Sequence, residues 1–179
     1  VGQSVGATWL PDILHDLLEE SLQIILCGTA AGTASAIAAA YYAHKQNKFW
    51  KILHATKLTP ELMQPHQYRD LLTYRIGLTD LVKTSAGMDH QLPRSELGEK
   101  ARARLRASVV RCRPKFLAFT SKTAGQKFLG GKRDYGEQIE LIADTRIWIL
   151  PSTSGAAQGS WRPEIWHQFA DQVRAASAH

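Results

Sequence analysis

Apolar residues fall along this chain in two rhythms. Short unbroken runs read as buried strands, and runs spaced three and four apart read as one-sided helices. The unbroken runs are Gln23 to Leu26, Ile76 to Val82, Phe116 to Thr120, Gln138 to Ala143 and Arg146 to Leu150. The helical spacing is clearest after Ser95-x-x-Gly98, where Leu97, Ala101, Leu105 and Val109 form one stripe. It recurs in Phe49, Trp50, Ile52 and Leu53, on a helix starting near Asn47. A short helix over Thr123 to Leu129 and a last one over Pro163 to Ala176 complete the clear cases. Pro11 and Asp12 suit the first turn of a helix whose apolar face is Leu14, Leu17, Leu18 and Leu22. Thr59-Pro60-Glu61 reads as another helix start, and Pro65 to Tyr74 continues helical with Tyr68, Leu71 and Leu72 inward.

Strands alternate with helices in this order. That pattern predicts an α/β fold, a three-layer α/β/α sandwich whose mostly parallel central sheet has about four to five strands. Residues 10–179 are expected to form one domain. Residues 1–9, which contain Gly and Ser, are expected to be a flexible lead segment.

The first strand runs straight into Gly28-Thr29-Ala30-Ala31-Gly32. This reads as a loop whose glycines free the backbone for a tight turn or a close approach to a ligand. The last strand runs into a second small-residue loop, Pro151-Ser152-Thr153-Ser154-Gly155-Ala156. In a parallel sheet both loops open at the carboxyl edge, where such folds bind ligands. Between them in sequence lies Asp80, a single charge inside an apolar run. A carboxylate there must be solvated, paired or functional.

Composition adds limits. The chain has 179 residues, 44% hydrophobic and 21% charged, as an ordinary globular protein does. No run approaches the roughly 20 apolar residues of a membrane span. No leader pattern opens the sequence. Cys27 and Cys112 read as buried reduced thiols, so an intracellular location, cytoplasmic or nuclear, is expected. Neither a Cys/His cluster nor a nucleotide-binding glycine motif is present, which leaves metal and dinucleotide chemistry without a sequence signal. The net charge of +6 favours a polyanionic partner. Lys100, Arg102, Arg104, Arg106 and Arg111 surround the stripe of the long helix, as a solvated face or as a phosphate-facing one.

In order, the motifs resemble the uracil-DNA glycosylase superfamily, most closely its mismatch-specific uracil/thymine-DNA glycosylase branch. Leu10 to Leu14 is similar to that branch's lead-in. Ile24 to Gly32 is similar to its strand and G-I-N-P-G motif. Asn47-Lys48-Phe49-Trp50-Lys51 is similar to N-x-F-W-K, and Tyr74 to Val82 to Y-x-x-G-x-T-x-x-V. Ile147 to Gly155 is similar to the strand and P-S/N-x-S loop. The resemblance implies an enzyme of base excision repair that flips uracil out of DNA and hydrolyses its N-glycosidic bond. It implies uracil-containing DNA as partner, free uracil as product, no cofactor, no membrane and a monomer.

The same resemblance implies a uracil pocket of Gly28, Thr29, Ala30, Ala31, Tyr42, Asn47 and Asp80, with Tyr42 stacking on the base. It implies DNA contacts from Gly32, Ser35, Ser152, Thr153, Ser154, Gly155, Ala156 and Gln158. The family carries Asn or Asp where this chain has Ala30, and Ala30 can neither hold water nor bond a base. The catalytic group is therefore expected elsewhere: Asp80 first, His44 second. Ala156 is small for the family's stack-filling wedge, which turns the expectation toward Gln158 or Trp161. The alternative is a weak or inactive relative that binds DNA or uracil through the retained cleft. An unrelated nucleotide-binding domain is the least supported reading.

Overall fold

The computed structural model describes residues 10–178, so the expectation for residues 1–9 lies outside the described residues. Five strands form one sheet in the order β2-β1-β3-β5-β4. They are β1 (Ile24–Ala31), β2 (Ile76–Ala86), β3 (Phe116–Phe119), β4 (Gly136–Ile142) and β5 (Thr145–Ile149). β1 lies between β2 and β3, and β3 between β1 and β5, all parallel. Among the strands of the described residues only β4 runs antiparallel, joined to β5 by a tight turn at Ala143. The expected mostly parallel sheet is present.

Side chains on β1 alternate between two cores. Ile24 and Leu26 enter one with Phe116, Ala118 and Trp148. That face is covered by α2 (Phe49–Ala55), α5 (Pro163–Ser177) and a 3-10 helix over Pro65–Tyr74. Ile25 and Cys27 enter the other with Leu117, Phe119 and Ile147. There α3 (Glu99–Cys112) and α4 (Lys122–Leu129) close the third layer. The predicted stripe Leu97, Ala101, Leu105 and Val109 is buried along its length. Both cysteines are free and buried.

Four local expectations are corrected. No helix forms over residues 10–22. The segment runs extended along β2, the edge strand, where Leu17 and Leu78 exchange two backbone hydrogen bonds of 2.9 Å. Ile13 N also donates to Lys83 O at 2.7 Å. Pairing an exposed edge and burying Leu14, Leu17 and Leu22 outweigh the helix-start signal. Second, β1 does not stop before the glycine stretch: Gly28 to Ala31 are strand residues, and Ala30 pairs with Val82. Third, β2 extends to Ala86 rather than ending at Val82, because Ala86 pairs with Ala31 across a bulge. Fourth, no helix starts at Thr59, and the following turn is 3-10 rather than α. Conversely, a short helix not expected from the sequence, α1 (Thr33–Ala38), follows β1.

Candidate functional site

A cleft of about 750 Å³ opens at the carboxyl ends of β1, β2, β3 and β5. Its floor is the end of β1, with Gly28, Thr29, Ala30, Ala31 and Gly32 all on the wall. The loop after β5 supplies Ser152, Thr153, Ser154, Gly155 and Ala156. Ser35, Tyr42, His44, Asn47 and Asp80 line it as well. Gln158 does not; it is exposed on the 3-10 turn Gly155–Ser160, outside the cleft wall.

The register of the sheet places Asp80 directly beside Gly28. Its carboxylate leans over the bare Cα of that glycine. A Cβ at position 28 would stand 2.5 Å from Asp80 Oδ1, 3.5 Å from the Tyr42 hydroxyl and 3.6 Å from Thr120 Oγ1. Three oxygens thus converge on one point of the cleft floor. Gly28 is required by this close approach, since its φ lies outside the left-handed region. Gly32 meets no such demand: a Cβ there would touch nothing within 4 Å.

Asp80 is only 4% exposed. Among the described residues no side chain hydrogen-bonds its carboxylate. Burial pushes its carboxyl up to about 6, with Lys83 and Arg104 pulling it down and Asp16 pushing it up. Behind it lies a charged network. Lys83 Nζ sits 2.7 Å from Asp16 Oδ1 and donates to the Tyr41 hydroxyl at 3.3 Å. Arg104 reaches Asp16 at 3.4 Å and donates to the carbonyls of Asp80 at 2.6 Å and Leu81 at 3.1 Å. Arg104 is therefore turned toward β2, unlike Lys100, Arg106 and Arg111, which face solvent. Because Lys83 favours the charged carboxylate, Lys83→Met is expected to move the Asp80 titration midpoint above about 6. Carboxyl-carbon NMR across pH 4 to 9 (roughly the span in which a buried acid titrates) reads this directly, and an unmoved midpoint would remove Lys83 from the control of Asp80.

Tyr42 has the left-handed φ of 53°, unusual for a bulky residue. Several contacts impose it. Its ring stacks on Phe49 at 3.7 Å with 12° between planes. Its hydroxyl bonds Thr120 Oγ1 at 3.0 Å, and its carbonyl accepts from Trp50 Nε1 at 3.2 Å. Burial and Asp80 hold the phenol well above its usual range, so it stays protonated. One ring face is thus taken by Phe49. Burial likewise raises the Cys27 thiol well above its usual range, and Cys27 does not line the cleft.

The remaining candidates are partly engaged in structure. Asn47 Oδ1 accepts from Phe49 N at 2.9 Å and so caps the first turn of α2. Ser35 Oγ accepts from Ala43 N at 3.1 Å. His44 is exposed, and its Nδ1 accepts from Gln46 N at 3.1 Å. Ser152 and Ser154 each accept a backbone N–H two residues on, at 3.3 Å. Sequence reading missed Thr120, Ser121, Lys122 and Thr123, which bring the end of β3 and the start of α4 into the cleft. Ser121 Oγ accepts from Ala124 N at 3.0 Å and lies 3.2 Å from Thr29 Oγ1. The Ser-Lys-Thr signal after a strand was there to be read. Tyr135, Met88 and His90 were missed too; nothing in their sequence context marks them.

A family model described as the uracil DNA glycosylase superfamily matches residues 15–170. The chain also resembles the solution NMR structure of a "putative Uracil DNA glycosylase" from Methanosarcina acetivorans, with a TM-score of 0.60. The two are 19% identical over 90% of this chain and 96% of that one, a likeness of fold.

Proposed function

Because the chain belongs to the uracil DNA glycosylase superfamily, we propose that it excises uracil from DNA, with Asp80 as its catalytic acid–base group. The observation that carries this reading is the buried Asp80 carboxylate over Gly28, on the floor of a cleft formed by strand ends. The flipped base enters the cleft against Tyr42. Water attacks C1′ of the sugar as the C1′–N1 bond breaks. The bonding electron pair leaves on uracil N1, and the water proton passes to Asp80. The ionised carboxylate also stabilises the positive charge that develops on the sugar. This arrangement supplies from β2 what Ala30 cannot supply from β1. The enzyme acts as an intracellular monomer and releases free uracil.

A second reading is favoured by Ala30 itself: a relative that binds uracil-containing DNA without cutting it. Incubation with uracil in single strands, U·A duplexes and U·G duplexes, followed by alkali and a denaturing gel, separates the two. Alkali-labile sites above background are the expected result. Their absence on all three substrates would sink the enzyme reading.

Phosphate contacts are expected to dominate DNA affinity, through Lys122 and the loops that line the cleft mouth. Raising salt from about 50 to 200 mM should then weaken binding about tenfold or more. Fluorescence anisotropy with a labelled oligonucleotide measures this, and a flat salt dependence would argue against DNA as the partner.

A further inference from the structure

A base leaves a duplex stack at a cost of a few kcal/mol, and proteins that hold it out commonly fill the gap with an apolar side chain. The loop after β5 has little to offer for that task. Ala156 presents one methyl group. Gln158 is polar and stands off the cleft wall. Trp161 packs against the core, with the Lys48 ammonium 5.4 Å above its ring.

Met88 is different. It lines the cleft and is 52% exposed, an apolar side chain left in water at the mouth of a polar site. The sheet order sets β2, which leads into it, on the far side of β1 and β3 from β5. Met88 thus rises on one flank of the cleft while the Ser152–Ala156 loop forms the other.

Its seat is braced. Gly87 N donates to Ala31 O at 2.9 Å, tying the turn to the end of β1. Met88 N donates to Gln91 Oε1 at 2.8 Å, and Gln91 N donates back to Met88 O at 2.8 Å. Gly87 takes φ 132°, and a Cβ there would stand 2.8 Å from the same Gln91 Oε1. Leu92 is buried just beyond. The Thr84 and Ser85 hydroxyls both donate to the Glu96 carboxylate, at 3.0 and 2.8 Å, closing the loop on itself. A fixed backbone therefore carries a slender, unbranched, polarisable side chain that contributes nothing to the core.

We propose that Met88 is the side chain that enters the base stack of duplex DNA when the target nucleotide swings into the cleft. This rests on the reading of the cleft as a base-excision pocket. A single strand has no stacked partner to part, so Met88 matters only on a duplex. Asp80, by contrast, matters on both.

The test is Met88→Ala with single-turnover excision on matched substrates. Excision from a single strand should stay within about twofold of the parent, while excision from a U·A duplex should fall about tenfold or more, and from U·G by less, because a mismatch opens more easily. Met88→Leu should recover most of the duplex activity. Equal losses on single strand and duplex, or no loss on the duplex, would overturn the proposal. A second readout does not need cleavage: 2-aminopurine beside the uracil in a duplex should brighten when the parent protein binds and brighten less with Met88→Ala. If the parent cuts nothing, the excision reading falls, and the 2-aminopurine signal still decides whether Met88 parts the stack. Equal brightening by parent and variant would reject Met88.

Discussion

Asp80→Asn is expected to lower uracil excision by about 10²–10³-fold, the usual loss when a group aimed at developing charge is removed. The effect should fall on the single-turnover rate and leave DNA affinity nearly unchanged. Asparagine keeps the shape and a hydrogen-bond acceptor, but it cannot take a proton or carry charge. If Asp80 merely accepted a hydrogen bond from the base, Asp80→Asn would retain most of the rate. Ala30→Asn should change the rate only modestly, since the carboxylate proposed to act stands on β2 beside Gly28 rather than at position 30.

Asp80→Asn should also raise thermal stability near neutral pH. The Asp80 carboxyl moves from 3.8 to about 6 on folding, chiefly through burial. The folded protein therefore binds this proton more tightly than the unfolded chain. The stability this contributes is greatest below 3.8 and declines as pH rises to about 6. Keeping the ionised group buried at pH 7 costs on the order of 3 kcal/mol. Excision is expected to run the other way, rising with pH through about 6 as the Asp80 carboxylate forms. In Asp80→Asn the inflection near 6 should vanish from any residual rate. A wild-type rate that stays flat from pH 5 to 8 (about the range in which this inflection must fall) would remove Asp80 from the chemistry.

Gly28→Ala is the second large effect, expected to reduce excision at least about tenfold through misplacement of a catalytic group. The added methyl would meet Asp80 Oδ1 at 2.5 Å, closer than any real Cβ contact, so the carboxylate must move. Tyr42 and Thr120, at 3.5 and 3.6 Å from the same methyl, are in ordinary contact, so the displacement falls on Asp80. Forcing an extra methyl into this packed floor should cost about 1–3 kcal/mol of stability, seen as a lower Tm. The decisive measurement is the double variant. Both changes act on one carboxylate, so Gly28→Ala on top of Asp80→Asn should lose little more activity than Asp80→Asn alone. Fully multiplicative losses would show that Gly28 serves some other contact.

Several features of this protein were legible in the chain alone. The alternation of apolar runs with helical stripes is set by periods of 2.0 and 3.6, which are local properties of the backbone. It led to the strands around Leu26, Phe119 and Ile149, to the buried stripe through Leu105, and to the layer order. The oddity of Asp80 was visible for the same reason, as a charge inside an apolar run. The candidate cleft was legible because residues after parallel strands share one edge.

Other features depend on partners distant in sequence. Leu10 to Leu22 carries a helix pattern, yet it lies extended because the unpaired edge of β2 offers Leu78 and Lys83 as backbone partners. Gly28 looked like a turn glycine; only the register of β1 against β2 reveals that a carboxylate occupies the space of its missing side chain. Arg104 looked like one more surface cation on α3, but it reaches the carbonyls of Asp80 and Leu81. Met88 had no signal at all, because exposure at a cleft mouth is a property of the assembled surface. The sequence by itself determined the central strands, the long helix with its buried stripe and the odd charge at Asp80, because these follow from local periodicity. The tertiary structure alone decided which of those residues meet, since strand register and loop placement come from long-range pairing that no local pattern encodes.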